Sequence, residues 1–506
     1  MGLSVAAAAL YVLAFPPFDL GYLAALAPLP IALVVLDPRR SLRLRHAIAA
    51  GLLFGILTAV GVTGYWIFAA ANEFFVRSVG FSLLFTGFVT FAHVAVFFTA
   101  IVVCSSRLAR LPPIWRSAAL ASVWVTWEFA RSHRFYGCPW DLLGHAFYRW
   151  PVVIQAADVG GVWILSWVAV ASSAALATAF VERECGRPFW KPLAFAGLLP
   201  LALIAYGYQA LARETTAMGT ASGSLWVGLV QANVGRHALW KPTLRLDNLN
   251  RYIRLSQGSE LGDAELIVWP ESSVPFFLDA HPDAQRDILE LARASGAAVI
   301  AAGPRSEDAG DGKARIFNSV YFFRPGNPSW QTYDKIHLLP YIEFLPGWAA
   351  WFAGPPDAIS YAPGRAPHMF EVEGWRLAPL VCLEAIFPWY ARAYQRQGAD
   401  LLINVSNDSW FEAGGGARQH FAMAVFRAVE NRTPLVRVAG TGVSGLIDSR
   451  GQVVEKLPTQ STETRLVTVR PGSGRSLYAR FGDGFAWLAV LVALLSVSAS
   501  LVRKPG

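Results

Sequence analysis

The stretch WRLAPLVCLEA, residues 375–385, is apolar without a break from Leu377 to Leu383 and is closed by a glutamate. A short apolar run with no polar alternation reads as a strand covered on both faces, which is how a strand sits in a layered α/β domain. Six further runs read the same way: SLWVGLVQAN (224–233), AELIVWPES (264–272), AAVIAAGPR (297–305), RIFNSVYFF (315–323), LLINVSND (401–408) and PLVRVAG (434–440). Helical stretches at 282–295, 387–398 and 417–430 lie between several of them. Strands alternating with helices in this way predict an α/β domain over residues 212–482.

The rest of the chain is a different material. Of 506 residues, 54% are hydrophobic and 15% charged, and the mean hydropathy is +0.38; that is more apolar than a soluble chain needs. The charge-poor runs fall before residue 212 or after residue 483. A bilayer core takes roughly 20 apolar residues per helix, and runs near 47–70, 79–104, 115–132, 160–181, 191–211 and 483–502 meet this. Segment 3–36 is long enough for two, and FPPFD (15–19) breaks it into a hairpin of short helices. The expectation is about eight membrane helices: seven in 1–211, then the soluble insertion 212–482, then one in 483–506.

Arginines mark the sidedness. The loop 37–46 has four and 105–116 has three, while 182–191 has three basic residues. The alternate segments 16–20 and 70–79 carry none and one, although 131–150 holds Arg131, Arg134 and Arg149. By the positive-inside rule both termini are cytoplasmic and 212–482 faces the periplasm. No basic residue precedes Arg39, so the positive start of a cleavable signal is lacking and the first helix is expected to stay in the mature protein. The net charge of +8 is spread over short loops instead of forming a stripe, which argues against a nucleic-acid partner. Glu128 and His93, inside apolar spans, either face an interior cavity or are satisfied structural groups.

Four cysteines, Cys104, Cys138, Cys185 and Cys382, have neither metal-ligand spacing nor the density of a disulfide framework. Neither metal nor cofactor is expected. Cys382 differs from the others in its company: three strand ends carry a carboxylate, an amine and a thiol, namely Glu271 in VWPESS, Lys335 in YDKIHLLP and Cys382 in LVCLEA. Strand ends are where α/β domains place chemistry. A carboxylate can take the proton of a thiol and an ammonium can stabilise an oxyanion, so the three suffice for acyl transfer. Singly, each has a plainer reading: a turn cap, a solvated charge and a core cysteine.

Taken together, the order Glu271, Lys335, Cys382 resembles the nitrilase (carbon–nitrogen hydrolase) superfamily, which implies an αββα sandwich over about 225–470. Helices on both sides of such a domain narrow the resemblance to the apolipoprotein N-acyltransferase family. FPPFDLGYLAALAPLPIAL, YGCPWDLLGHAF (136–147), QANVGRHALWKP (231–242), NDSWF (407–411) and QHFAMAVFRAVE (419–430) also look like signatures of that family. The resemblance implies a ping-pong reaction in a bacterial inner membrane. Cys382 would take an acyl chain from a phospholipid, phosphatidylethanolamine first among them, and pass it to the α-amino group of a diacylglyceryl-cysteine lipoprotein. Glu271 would be the general base and Lys335 the oxyanion support, joined by a backbone N–H after Cys382. Three more residues match the family: Glu343 would orient Lys335, Glu384 would shape the pocket, and Trp240 would sit on a loop over the site. A loop ion pair, a cap for the helix near Phe387 and an interfacial aromatic are the respective alternatives. Leu383, Ile342 and Gly440 stand where the family often has Tyr, Gly and Asn. Loops 70–79, 134–150 and 345–354 are expected to form a lipid-accessible cavity. Nothing in the sequence demands more than a monomer, and a membrane-anchored amidase using the same three groups is the rival reading.

Overall fold

The computed structural model describes residues 1–40, 42–74, 78–134, 136–220, 223–239, 241–308, 314–347, 360–411 and 414–502. By its internal contacts the chain divides into two units. The first is Met1–Arg213 with Ala413–Glu430 and Ser476–Gly506, and the second is Glu214–Glu412 with Asn431–Arg475.

The first unit is helical. Among the described residues five helices are long and apolar enough to cross a membrane: Leu44–Glu73, Val79–Arg110, Val162–Glu184, Trp190–Gly219 and Gly484–Val502. Gly2–Ala14 and Gly21–Val35 are apolar but shorter, so length and composition support five spans, fewer than the eight expected. Pro113–His133 spans 21 residues but carries Arg116, Glu128 and Arg131. These charges are buried; Arg116 is ion-paired, and Glu128 and Arg131 are hydrogen-bonded to neutral groups. Arg116 bonds Glu182 at 2.7 Å, with both side chains largely withdrawn from solvent; Arg131 donates to the Trp140 carbonyl at 2.8 Å. Glu128 accepts from Leu143 N at 2.8 Å and Trp124 Nε1 at 3.0 Å. Glu128 is thus a tether for the 136–147 loop, while His93 is half-buried.

Small residues set the helix spacing. A Cβ on Gly51 would lie 2.7 Å from Thr99 Cα, and one on Gly55 would lie 2.6 Å from the Ala95 carbonyl. GLLFG (51–55) therefore lets two backbones approach as side-chain-bearing residues could not. By contrast Trp190–Gly219 leaves Leu193, Leu198, Leu201 and Tyr208 exposed, the surface a lipid-facing helix presents.

The helix Gly416–Asn431 is keyed into this unit by one amide. Gln419 accepts from Trp66 Nε1 at 3.1 Å and Trp140 Nε1 at 2.8 Å, and donates to the carbonyls of Pro16 at 2.7 Å and Val62 at 2.9 Å. All four hydrogen-bonding positions of the amide are filled by segments far apart in sequence.

The second unit contains, among the described residues, twelve strands in two six-stranded sheets. The first sheet uses β1 (Leu225–Gln231), β2 (Leu266–Val268), β3 (Ala298–Asp308), β4 (Ala314–Phe323), β5 (Trp330–Asp334) and β12 (Glu463–Val469), in the order β12-β1-β2-β3-β4-β5. The second uses β6 (Phe370–Val372), β7 (Trp375–Val381), β8 (Leu401–Ser406), β9 (Leu435–Ala439), β10 (Gly445–Ile447) and β11 (Val453–Lys456), in the order β11-β10-β9-β8-β7-β6. Each sheet has a parallel centre, β1-β2-β3 and β7-β8-β9, with antiparallel strands outside it.

Burial on both faces explains the unbroken apolar runs. Ile267, Trp269, Val299 and Ala301 pack with Leu249, Tyr252, Ile288 and Leu291 of the helices Arg245–Ser256 and Pro282–Ser295. Their neighbours Leu266, Val268, Ala298 and Ile300 point the other way and are equally buried. At about 25 cal/mol per Å² of apolar surface, such two-sided burial is the main stabilising term of the domain. The strands absent from the sequence reading, β5, β6, β10, β11 and β12, are short or lie toward sheet edges, and β11 and β12 carry Glu455, Lys456, Glu463 and Arg465.

Gln419→Leu should lower the thermal midpoint in detergent by roughly 5 °C or more, since it strands two indole N–H groups and two carbonyls at about 1–3 kcal/mol each. A scanning fluorimetry trace that superposes on the parent would contradict this.

Candidate active site

Strand direction decides what can meet. β3 runs parallel to β2, and β4 then β5 reverse twice, so the carboxyl ends of β2 and β5 lie at the same edge. Glu271 comes three residues after β2 and Lys335 directly after β5. Cys382 follows β7 and Asn407 follows β8, a parallel pair.

Lys335 is the most enclosed of these groups, 1% exposed. Its Nζ donates to Glu343 Oε1 at 2.9 Å and lies 3.7 Å from Glu271 Oε1. Burial opposes the ammonium form, but the charges of Glu343 and then Glu271 outweigh it and hold Lys335 protonated well above its usual range. The nearer Glu343 takes most of that charge, which leaves Glu271 supplied mainly by neutral donors. Asn318 Nδ2 donates to Glu271 Oε1 at 2.8 Å and to Glu343 Oε1 at 2.7 Å, and the Asn407 N–H donates to Glu271 Oε2 at 2.7 Å. Glu343 Oε2 also accepts from Leu339 N at 2.6 Å. Beside them burial, then the Glu343 and Glu271 charges, pushes the Tyr361 phenol up to about 12.

Cys382 turns the chain at φ +50°. This left-handed conformation costs a side-chain-bearing residue about 1–3 kcal/mol unless the surroundings impose it. Asn404 Nδ2 donates to the carbonyls of Leu380 at 2.9 Å and Cys382 at 3.3 Å, fixing both sides of the bend. Burial pushes the thiol far above its ordinary value and the Glu271 charge adds to this, while Lys335 pulls the other way. A thiol so placed does not ionise unaided near neutral pH; it needs a base beside it to take the proton.

Glu384 is fully buried and ties these parts together. Its Oε1 accepts from Tyr333 OH at 2.8 Å, Ile336 N at 2.7 Å and His337 N at 3.1 Å, and its Oε2 accepts from Val381 N at 2.7 Å. Burial raises its carboxyl above the usual range even so. The residues flanking Lys335 and Cys382 thus share one carboxylate. The helix at Pro388 has no side-chain cap; Glu384 clamps two strand ends.

Glu271, Lys335, Glu343, Cys382 and Glu384 are all brought together in the second unit. Trp240 lies outside the described residues, as do 75–77, 135 and 348–354 of the loops expected to form a lipid-accessible cavity. Asn318, Asn404 and Ser406 were not singled out by the sequence reading, yet each is a polar residue at a buried strand position, where an unsatisfied group would be costly. Among the described residues there is no cluster of three or more metal-ligating side chains.

A cysteine on a strained strand-end turn, with a carboxylate and a buried ammonium at its side, in paired sheets, defines a carbon–nitrogen hydrolase-type enzyme. Residues 226–478 match the carbon-nitrogen hydrolase family, and residues 7–175 match the apolipoprotein N-acyltransferase N-terminal domain. Apolipoprotein N-acyltransferase of Geobacter metallireducens is 32% identical over 99% of this chain and 95% of its own length; that of Pseudomonas aeruginosa is 32% identical over 97% and 95%. A solved carbon–nitrogen hydrolase superfamily protein of Xanthomonas campestris overlays with a TM-score of 0.37 at 23% identity, covering 53% of this chain and 97% of that one. The chain belongs to the apolipoprotein N-acyltransferase family, and it is an acyltransferase.

Glu384→Gln keeps the shape but turns an amide N–H₂ toward donors. It should cost about 1–3 kcal/mol in unfolding free energy and reduce activity at least tenfold, because the Lys335 and Cys382 turns lose their common acceptor. Unchanged turnover with an unchanged melting curve would refute the clamp.

Proposed function

We propose that the protein transfers an acyl chain from a phospholipid, phosphatidylethanolamine by preference, to the α-amino group of the diacylglyceryl-modified N-terminal cysteine of lipoproteins. The observation that carries this reading is the Cys382 turn, a left-handed strand end at φ +50° whose thiol lies in the field of the Glu271 carboxylate and the buried Lys335 ammonium.

In the first step Glu271 takes the thiol proton as Sγ attacks the ester carbonyl. Lys335 stabilises the resulting oxyanion, helped by the backbone N–H after Cys382. Glu343 holds Lys335 in place. Collapse breaks the ester C–O bond, and the departing glyceryl oxygen takes the proton back from Glu271. This yields a lysophospholipid and a Cys382 thioester. In the second step the acceptor amine attacks the thioester and gives a proton to Glu271. The thiolate then leaves and is reprotonated, and the product is an amide. Both substrates are held by acyl chains in a bilayer, so a site that excludes water favours aminolysis over hydrolysis.

Other features belong to the same reading. About eight helices embed the chain as a monomer in the inner membrane, with membrane regions 1–211 and 483–506 flanking a catalytic region 212–482. The arginine-rich loops 37–46, 105–116 and 182–191 face the cytoplasm and the catalytic region faces the periplasm. The amidase alternative is disfavoured by the match of residues 7–175 to the acyltransferase N-terminal domain, which a small-amide hydrolase does not need.

Incubation with phosphatidylethanolamine alone should leave a hydroxylamine-labile acyl adduct on Cys382 by intact mass, absent in Cys382→Ala. A diacylglyceryl-cysteine peptide should discharge it as N-acyl peptide; release as free fatty acid would favour the hydrolase. For sidedness, a cysteine replacing Arg43 should resist a membrane-impermeant maleimide in spheroplasts, and one replacing Gln460 should react. The reverse pattern would invert the topology.

A further inference from the structure

Behind the Cys382 turn lies a polar cluster that the acyl-transfer scheme does not use. Parallel register sets it out. Val381 pairs with Val405 and Asn404 pairs with Arg437, so one step beyond the first pair Cys382 and Ser406 are neighbours. Alternate residues share a face, and Asn404 and Ser406 therefore stand on one face of β8. Arg437 and Asp408 form a doubly bonded ion pair, with Arg437 Nη2 2.9 Å from Asp408 Oδ1 and 2.8 Å from Oδ2, and neither side chain is exposed. Arg437 Nη1 also donates to Asn404 Oδ1, which turns the Asn404 N–H₂ toward the Leu380 and Cys382 carbonyls.

Ser406 links this pair to the nucleophile. It is fully buried, its Oγ donates to Asp408 Oδ1 at 2.8 Å, and it hydrogen-bonds the Cys382 side chain. A hydroxyl has one proton to donate and two lone pairs to accept with. While the proton points at Asp408, the hydroxyl can only accept from the Cys382 S–H. Asp408 keeps both Arg437 bonds if that proton turns away, so the rotation strands no buried charge.

We propose that Ser406 is a switchable partner of the Cys382 sulfur, accepting from the thiol at rest and turning its O–H onto the thiolate once the proton has left, with Asp408 and Arg437 as its anchor. The proposal rests on the reading of Cys382 as nucleophile and Glu271 as its base. Ser406 neither gains nor loses a proton; the thiol proton goes to Glu271, and only the hydroxyl orientation changes. The charged groups facing the sulfur are Glu271 after β2, Lys335 after β5, and Asp408 after β8 with Arg437 behind it, while Glu343 and Glu384 act through Lys335 and the turn. Among these Ser406 is a neutral donor that can strengthen as the negative charge appears.

The test compares full-length parent, Ser406→Ala, Ser406→Thr and Glu271→Gln in detergent. Two quantities are read at Cys382 by peptide mass: the pH profile of iodoacetamide alkylation, and the rate of acyl-enzyme formation from phosphatidylethanolamine. Ser406→Ala should move the alkylation profile up by about one pH unit and slow acylation about tenfold, since the thiolate loses a hydrogen bond. Ser406→Thr, which keeps the hydroxyl, should recover most of both. A purely structural serine would shift the melting curve and leave the profile in place. If Ser406→Ala does not fold, Ser406→Cys, with a weaker donor of similar shape, carries the comparison. A parent-like profile and rate in the donor-deficient variant, or no recovery in Ser406→Thr, overturns the proposal. No acylation of the parent, or a parent-like rate in Glu271→Gln, overturns the reading beneath it instead.

Discussion

A buried ammonium has to be paired, and the pairing of Lys335 organises everything near Cys382. Removing a charge from water costs several kcal/mol, which is recovered only with close and well-directed partners. Lys335 has Glu343 at hydrogen-bonding distance and Glu271 just beyond it, and Asn318 spans the two carboxylates. Three charges and one amide therefore fix one another, and none can shift without exposing another to an apolar interior. The unequal distances also divide the work. Glu343 takes the close bond to the ammonium, while Glu271 is held chiefly by the neutral donors Asn318 and Asn407 N–H.

The strained turn depends on this arrangement through Glu384. That carboxylate receives N–H groups from the segment after Lys335 and from the end of β7, so the cost of the left-handed Cys382 is met by hydrogen bonds reaching two sheets. Strain at a reacting residue is common where the surroundings over-determine it. Here they do so with side chains buried in the α/β interior.

The sequence made much of this legible, and for identifiable reasons. Apolar runs such as LIV (266–268) and LLINVS (401–406) announce strands because they are covered on both faces. Glu271 and Cys382 stood out because each closes such a run, whereas the strand before Lys335, WQTYD (330–334), is too polar to announce itself. The edge strands escaped because residues such as Glu455 and Arg465 carry the polarity of half-exposed positions. Pro113–His133 carries more charge than composition alone allows a span, and the structure shows where one such charge goes, Arg116 onto Glu182. Asn318 and Asn404 went unmarked because one amide within a strand gives no hint of its partners; these come from strands distant in sequence, such as β9 for Asn404. A polar residue in an otherwise apolar run is nonetheless a usable signal, since burial obliges it to bond to something.

The helix between β8 and β9 begins a few residues after Asn407, yet its contacts assign most of it to the unit of membrane helices. Gln419 on that helix is satisfied by Pro16, Val62, Trp66 and Trp140, residues translated hundreds of codons earlier. The α/β region is therefore not a passenger that could be cut out and produced alone. A fragment starting near residue 214 would make the crossover helix without the partners that satisfy its amide. The chain between β8 and β9 thus has to serve two units, its strands in one and its helix in the other.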